Sequence, residues 1–556
     1  MALSELDRKY DAVMAAVTGP GGRVILAQDD EGRTIVTNFP PTLPLFFKTF
    51  CGLYADVEAV VAGEERLTFS QLDQISDRLA RGLVARGISK GDRVGIAMRN
   101  CPAWIVAYMA IAKAGAVATL LNGWWQPDEL EHALHLTSPK LILADGPRAS
   151  RIATTCATCS VEAIAIERHC EEAFAGFLAA GTEDIQLPDV EPEDDATILF
   201  TSGSTGEAKG ALSTHRAVTT GVYTYATSLM VLRGILESEG RPPANPLKTL
   251  VVVPLFHVTG EVPVMLNSFV ICRGMVLVPK WDAADALRLI EKEKITYFVG
   301  VPTMSLELMN HPDRDNYDLS TLTDIAAGGA PRPVAHVERL RNSFPAAKPA
   351  LGYGLTETNA VGCGNFWDNY AAKPASTGRA HAPFVELAIL GEGDRHLPAG
   401  ERGEISIRSA ANIKCYWENP EATAAAFTAD GYLRTGDIGY LDEDGYLFIV
   451  DRKKDIIIRG GENISAAEVE AALYGCEGIA EVAVFGVPDE RLGEVPVAVL
   501  HRREGSSIGE EDLRAFLDGR LARFKIPARM IFSEMPLPRL GTGKIDRVLL
   551  KQQHAA

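Results

Sequence analysis

Ile198-Leu-Phe-Thr-Ser-Gly-Ser-Thr-Gly-Glu-Ala-Lys-Gly210 is an apolar stretch that runs into a loop of three glycines, four hydroxyl residues and one lysine. Apolar residues bounded by turn formers read as a buried strand. In the loop, Gly203 and Gly206 let main-chain amides come close to a ligand. Thr201, Ser202, Ser204 and Thr205 offer hydroxyl donors, and Lys209 adds a point charge. Together they suit a polyphosphate. The Gly-Lys-Ser/Thr triplet of a P-loop is absent at the required spacing, so the loop is of another kind. A plain Gly/Ser surface loop is the bland alternative, and the strand before it and the single Lys209 argue against that.

Outward from this strand the chain alternates short apolar runs with helical patterns. Leu72, Ile75, Leu79 and Leu83 recur at helical spacing, with Gly87 as the stop. Val94 to Met98 reads as a buried strand, and Trp104 to Ala114 as a helix ending at Gly115. Leu141 to Ala144, Leu250 to Val253 and Thr296 to Val299 are further apolar runs. Alternation of this kind predicts an α/β fold with largely parallel sheets covered on both faces. The first fifty residues carry turn signals (Gly19-Pro20-Gly21-Gly22, Pro40-Pro41) and are expected to wrap the surface. From about residue 385 the pattern becomes period two, in Val385 to Leu390 and Gly403 to Arg408, as in a half-buried antiparallel sheet. The charge run Asp451-Arg452-Lys453-Lys454-Asp455 interrupts two apolar runs, and about a hundred residues follow it, enough for a further domain. The expected organisation is a large N-terminal domain (1–452) of parallel α/β sheets with a small β-barrel-like subdomain (about 385–452). A small α+β C-terminal domain (453–556) completes it.

The 556 residues are 47% hydrophobic and 23% charged, a soluble globular balance. A net charge of −18 excludes nucleic acid as a natural partner, since phosphate backbones need a basic surface. No run reaches the roughly 18 apolar residues of a spanning helix, and the N-terminus lacks a signal-peptide core, so the cytoplasm is the expected location. A homodimer is compatible with the sequence and nothing in it decides the assembly. The nine cysteines are odd in number and scattered, which speaks against a disulfide framework. Cys156-Ala-Thr-Cys159 with His169 and Cys170 could hold zinc, but small residues in a helical connector explain them more simply.

Several motifs recur in a fixed order. They are Leu67-Thr-Phe-Ser-Gln-Leu72, Lys113-Ala-Gly-Ala-Val117, the loop above, Pro254-Leu-Phe-His-Val-Thr-Gly260 and Tyr353-Gly-Leu-Thr-Glu-Thr358. Arg434-Thr-Gly-Asp437, Asp451-Arg452 with Gly460-Gly-Glu-Asn-Ile464, and Gly541-Thr-Gly-Lys-Ile-Asp-Arg547 follow. The chain from about 65 to 550 thereby resembles the adenylate-forming superfamily of acyl-CoA synthetases, amino-acid adenylation domains and beetle luciferases. Ala208 stands where the family usually has proline, and Cys415 where it usually has glycine. Neither change touches a charged group.

The resemblance implies ATP, Mg2+ and coenzyme A as cofactors and a small carboxylic acid as substrate. Thr201, Ser202, Gly203, Ser204, Thr205, Gly206 and Lys209 would hold the phosphates. Glu357 would bind magnesium, Thr356 would contact the α-phosphate, and Asp437 and Arg452 would hold the ribose. Tyr353 with Gly354 would line the adenine, against Gly328, Gly329 and Ala330 on the other face. Lys544 would be catalytic, reaching both carboxylate and α-phosphate. Lys454 would be the hinge of a rotating C-terminal domain, and Gly460 and Gly461 would wall a pantetheine tunnel.

His257 separates the subclasses, because amino-acid adenylation domains usually place an aspartate there for the substrate ammonium, and an imidazole cannot replace it. No carrier domain follows within the 556 residues, which points the same way. His257, Val258, Thr259, Val301, Pro302, Thr303, Gly329, Tyr353, Asn359 and Ala360 are the expected pocket positions. They are mostly small or apolar, without a cation for a second carboxylate, which favours a hydrophobic monocarboxylic acid. A medium or long acyl chain is preferred to an aryl or steroid acid. A carrier protein or oxygen is the alternative acceptor to coenzyme A.

Overall fold

The computed structural model of the chain describes residues 3–125, 127–201, 208–328, 332–452, 455–459, 462–540 and 544–554. Among these residues the strands form two large sheets, of seven and thirteen strands, one five-stranded sheet, and a two-stranded ribbon. In the seven-stranded sheet, Asp195–Thr201, Val117–Leu120, Arg93–Ala97, Leu141–Asp145 and Val161–Ile164 run parallel in that order. Lys209–Thr214 and then Cys415–Tyr416 add antiparallel at one edge. The thirteen-stranded sheet has a parallel centre that includes Lys248–Val251, Tyr297–Gly300, Asp324–Ala327 and Lys348–Gly354.

Helices between the large sheets explain the long apolar runs. The helix Pro102–Lys113 is buried at all its positions, as expected of a helix that is apolar all round. Proline in its first turn costs no hydrogen bond there, and Gly115 beyond it adopts a left-handed φ of 68°. The helix Phe69–Ala85 starts at a capping box between Thr68 and Gln71 and buries Leu72, Ile75, Leu79 and Leu83, the stripe its spacing predicts.

The antiparallel strands after residue 385 are Glu386–Leu390, Gly403–Arg408, Leu433–Leu441 and Tyr446–Arg452. They continue the large sheet edge to edge through Gly378–Ala380 and Gly362–Phe366. Beyond them, Ile456–Arg459, Glu462–Ser465, Ile479–Asp489, Gly493–Arg502 and Arg529–Ser533 build the five-stranded sheet. Val469, Leu473, Leu500, Leu513 and Leu517 form its own buried core.

One expectation is corrected, and one alternative already disfavoured falls away. The first fifty residues do not merely wrap the surface. Glu5–Thr18 is a helix started by a capping box of Ser4 and Asp7, and Leu43–Leu53 is a helix that buries Phe46, Phe47 and Phe50. Leu43, Phe46, Phe47 and Phe50 fall on one helical face, a signal that the neighbouring turn residues obscure. The zinc alternative fails on placement. Cys156 and Cys159 form a disulfide, whereas Cys170 is buried in the main core and His169 is mostly exposed. Among the described residues no three metal-ligating side chains cluster.

Candidate active site

Lys209 pairs directly with Thr201 across the antiparallel hairpin, so both stand at the base of the loop between them. Ser202, Gly203, Ser204, Thr205 and Gly206 lie outside the described residues. The short strand Cys415–Tyr416 docks on this hairpin with Tyr416 opposite Ala211. Cys415 packs beside Val117, Ile198 and Leu212, an apolar seat that a thiol fills as readily as a small residue would. The Lys209 ammonium lies 5.0 Å from the centre of the Tyr416 ring. The Tyr416 hydroxyl donates to Glu357 Oε1 at 2.7 Å. Burial and the Glu357 carboxylate push the Tyr416 hydroxyl well above its ordinary pKa, so it remains a donor. Tyr416 thus links the hairpin lysine to the expected metal ligand, a role that sequence reading misses.

Across the site, the Tyr353 hydroxyl donates to Asp437 Oδ2 at 2.6 Å and Arg452 Nε lies 3.0 Å from Oδ1. Asp437 and Arg452 are cross-strand partners on adjacent antiparallel strands. Two expected residues, Tyr353 and Arg452, therefore converge on the carboxylate of a third, Asp437, which is buried. Tyr353 reaches Asp437 through its hydroxyl, so the ring and the carboxylate form one surface. Gly354 is obligatory: a Cβ there would stand 2.0 Å from the Ala360 carbonyl oxygen. Gly328 lies with its Cα hydrogens toward Thr259, whose Cγ2 would be 4.0 Å from an added Cβ. Gly329 and Ala330 lie outside the described residues.

From the C-terminal unit, Lys544 enters the same region. Burial lowers its ammonium pKa to about 8; repulsion from Arg452 adds to this, and attraction to Asp437 opposes it. Burial lowers the His257 imidazole to about 3, with repulsion from Lys544 adding to it. His257 is therefore neutral at pH 7. The Thr259 amide donates to its Nδ1 at 3.2 Å, which leaves the ring proton on Nε2. Lys544 is held on both sides. Ahead of it Arg539 pairs with Glu481 and donates to Thr303 Oγ1 at 2.9 Å. Behind it Arg547 pairs with the buried Glu470. Lys454, Gly460 and Gly461 lie outside the described residues.

The expected acyl-pocket positions divide. Val258, Val301, Pro302 and Ala360 are buried. Thr356 begins a short turn, Thr356–Thr358, beside Glu357. Asn359 is corrected: its amide donates to Ser213 Oγ at 3.0 Å and to the Ala411 carbonyl at 2.8 Å, so its side chain braces the body. The Thr303 hydroxyl accepts from Arg539 of the C-terminal unit at 2.9 Å.

Residues 47–417 match the family model of the AMP-binding enzyme, and residues 468–544 match that of the AMP-binding enzyme C-terminal domain. The chain belongs to the AMP-binding enzyme family. Within that family it is similar to a long-chain-fatty-acid–CoA ligase of Bacillus subtilis, with 33% identity over 93% of this chain and 96% of the relative. A feruloyl-CoA synthase of an Amycolatopsis species is 36% identical over 88% of this chain and 94% of its own. The crystal structure of ATP-bound MatB from Rhodopseudomonas palustris superposes with a TM-score of 0.81, at 28% identity over 92% of this chain and 99% of that one. This AMP-binding enzyme is an acyl-CoA synthetase, an AMP-forming acid–CoA ligase that uses ATP, Mg2+ and coenzyme A. Its residues fit those groups. Lys544 and Arg452 are two cations beside one carboxylate, Asp437, which leaves positive charge for phosphate and carboxylate oxygens. Glu357 offers an oxygen ligand of the hard kind magnesium takes. No helix among the described residues is long and apolar enough to cross a membrane.

Proposed function

We propose that this AMP-binding enzyme activates a hydrophobic monocarboxylic acid, preferably a medium- or long-chain fatty acid, as its acyl-adenylate and transfers the acyl group to coenzyme A. The observation that carries the reading is the Lys544 ammonium within electrostatic reach of Asp437, Arg452 and the neutral His257. In the first half-reaction a carboxylate oxygen attacks the α-phosphorus and the bond to pyrophosphate breaks. Two anions are brought together, so the barrier is mainly electrostatic. Lys544 lies between them and neutralises both. Lys209, with Thr201, Ser202, Gly203, Ser204, Thr205 and Gly206, holds the departing phosphates. Thr356 contacts the α-phosphate, and Asp437 and Arg452 fix the ribose with Tyr353 beside the adenine. Glu357 would hold magnesium, which would supply Lewis-acid charge when bound. In the second half-reaction the coenzyme A thiolate attacks the acyl carbon and AMP leaves. For this step the domain from residue 453 rotates about Lys454, which withdraws Lys544, and Gly460 and Gly461 then wall the thiol channel. Neutral His257 stands at the thiol's entry and, with Val258, Thr259 and Ala360, borders the acyl group. The similarity to a feruloyl-CoA synthase supports an aryl acid as the second substrate class.

Incubation with ATP, magnesium and a panel of fatty, aromatic and steroid acids, with and without coenzyme A, tests this by mass spectrometry. AMP plus acyl-CoA from the fatty acids is the expected result. Turnover confined to aromatic or steroid acids overturns the fatty-acid preference, and ADP in place of AMP overturns the reaction.

Two further predictions arise from the site. Lys544 must be protonated to act, and its pKa of about 8 belongs to the free enzyme. The kcat/KM of adenylation should therefore fall above about pH 8, tenfold per pH unit. Lys544→Arg should remove that limb whatever its effect on the rate, because a guanidinium stays charged. A limb that persists unchanged in Lys544→Arg would assign it to another group. Tyr416→Phe should leave Glu357 less firmly oriented and raise the magnesium concentration for half-maximal rate by about tenfold. Unchanged magnesium dependence would show that Glu357 is positioned without the Tyr416 hydroxyl.

A further inference from the structure

The hairpin that carries Lys544 is closed at its base by Arg539 and Ile545, which pair across it. The Leu540 amide donates to the Lys544 carbonyl, and the Asp546 amide to the Pro538 carbonyl, each at 2.8 Å. A shift of Arg539 therefore carries Lys544 with it. The Arg539 guanidinium is oriented inside the C-terminal unit by Glu481, whose other oxygen accepts from the Leu537 amide at 2.6 Å. A planar fork fixed on one side by a carboxylate presents its remaining donors in a set direction.

That direction is toward the body. Arg539 Nη1 donates to Thr303 Oγ1 at 2.9 Å, across 236 positions of sequence. Thr303 stands in the first turn of the helix Pro302–Asn310. Leu306, Glu307 and Asn310 follow it at helical spacing, so the four share one face. This face, with Ala480, Glu481 and Arg539 opposite, lines a cleft of about 380 Å³ between the body and the C-terminal unit. The hydrogen bond thus runs beside a cleft and not inside a packed core, so little apolar burial adds to it there. A second pair works against it. Arg339 donates to Asn310 Oδ1 at the edge of the cleft at 2.7 Å, and it lies within electrostatic reach of Arg503 from the C-terminal unit. Two guanidinium groups repel each other.

We propose that Arg539 is a positioning residue for the first half-reaction: through Thr303 it seats the Lys544 hairpin on the body, and it releases that hold when the C-terminal unit rotates for the second. The proposal rests on the ligase reading above. A single neutral acceptor suits a contact that is made and broken in every turnover. A carboxylate in place of the Thr303 hydroxyl would add charge attraction that rotation then has to break. Repulsion between Arg339 and Arg503 eases the departure. Because the contact acts through the placement of Lys544, it governs the rate of adenylation and not the affinity for ATP or the acid.

Thr303→Val keeps the size of the side chain and removes the acceptor, so it carries the test. Single-turnover release of pyrophosphate at saturating ATP and acid should slow by about tenfold, with both KM values within about twofold of the wild type. Thioester formation from synthetic acyl-adenylate should keep the wild-type rate or exceed it. Thr303→Ser, which retains the acceptor, should restore adenylation. Arg539→Met should slow adenylation at least as much as Thr303→Val, and combining the two should cost nothing further, because both remove one contact. Effects that multiply in the double variant would overturn the inference, since the two residues would then act separately. A Thr303→Val enzyme with a raised KM for the acid and an unchanged rate would overturn it too, making Thr303 a wall of the acyl pocket. Equal slowing of both half-reactions would reduce the contact to general architecture and sink the positioning role. An active wild type with an unaffected Thr303→Val removes this inference alone, whereas a wild type that yields no AMP and thioester from any acid removes the ligase reading itself. The two Thr303 variants decide the matter even if Arg539→Met does not fold.

Discussion

Lys544→Ala should slow acyl-adenylate formation by roughly two to three powers of ten, the usual loss when one preorganised charge is removed from a developing anionic centre. Thioester formation from preformed adenylate should change far less. The asymmetry follows from the placement of the residue. Its ammonium is partly withdrawn from water, with Arg452 repelling it and Asp437 only partly compensating. Two further anions, a carboxylate and a phosphate, relieve that imbalance, and they are brought together only during adenylation. The segment is braced for this arrangement by Arg539 on Thr303 and by Arg547 on Glu470. Single-turnover measurement of pyrophosphate release, beside thioester formation from synthetic adenylate, separates the two steps. Equal loss in both would mean that Lys544 serves the architecture of the C-terminal unit and not the first reaction.

Much of this site could be read before folding, and the reason is local. Thr201, Lys209, Tyr353, Glu357 and Asp437 belong to short motifs in which neighbouring residues carry the meaning, and the fold preserves those neighbourhoods. What could not be read depends on residues far apart in the chain. Tyr416 meets Glu357 across 59 positions and Arg539 meets Thr303 across 236. No periodicity or spacing reports such pairs. Asn359 shows the opposite error. A polar residue after Thr-Glu-Thr suggests a pocket wall, but its left-handed backbone, with φ of 47°, turns the amide toward Ser213 and Ala411. The N-terminal helices were hidden by their surroundings. Glycines and prolines at 19–22 and 40–41 signal turns strongly, whereas a capping box and one aromatic face are weaker patterns.

Lys113 was legible only as part of a motif, and the structure gives it a physical purpose. It ends the buried helix Pro102–Lys113, and its ammonium bonds Asp73 and Asp77 at 2.6 Å each and Ser76 at 2.9 Å. All three partners lie on the helix Phe69–Ala85, so one cation ties together two helices of the main core. The lysine side chain is 4% exposed, whereas Asp73 and Asp77 are 25% and 40% exposed. Lys113→Met keeps most of the stem packing and removes the charge. It should destabilise the N-terminal body by about 3 kcal/mol, the low end for breaking a buried ion pair, because water can still reach both stranded carboxylates. Denaturant unfolding followed by tryptophan fluorescence would read the loss, since Trp104 lies in the same helix. Adding Asp73→Asn and Asp77→Asn to Lys113→Met distinguishes two origins of the cost. If repulsion and partial desolvation of the two carboxylates dominate, the triple variant recovers more than half of the lost stability, because replacing every member of a buried ionic group is often close to neutral. If the lost ammonium hydrogen bonds dominate, it recovers almost none. The partial exposure of both aspartates limits the first effect, whereas a 4% exposed ammonium with four short contacts maximises the second. The expected outcome is therefore a recovery well below half, which would make Lys113 a hydrogen-bonded clamp between helices more than a charge neutraliser.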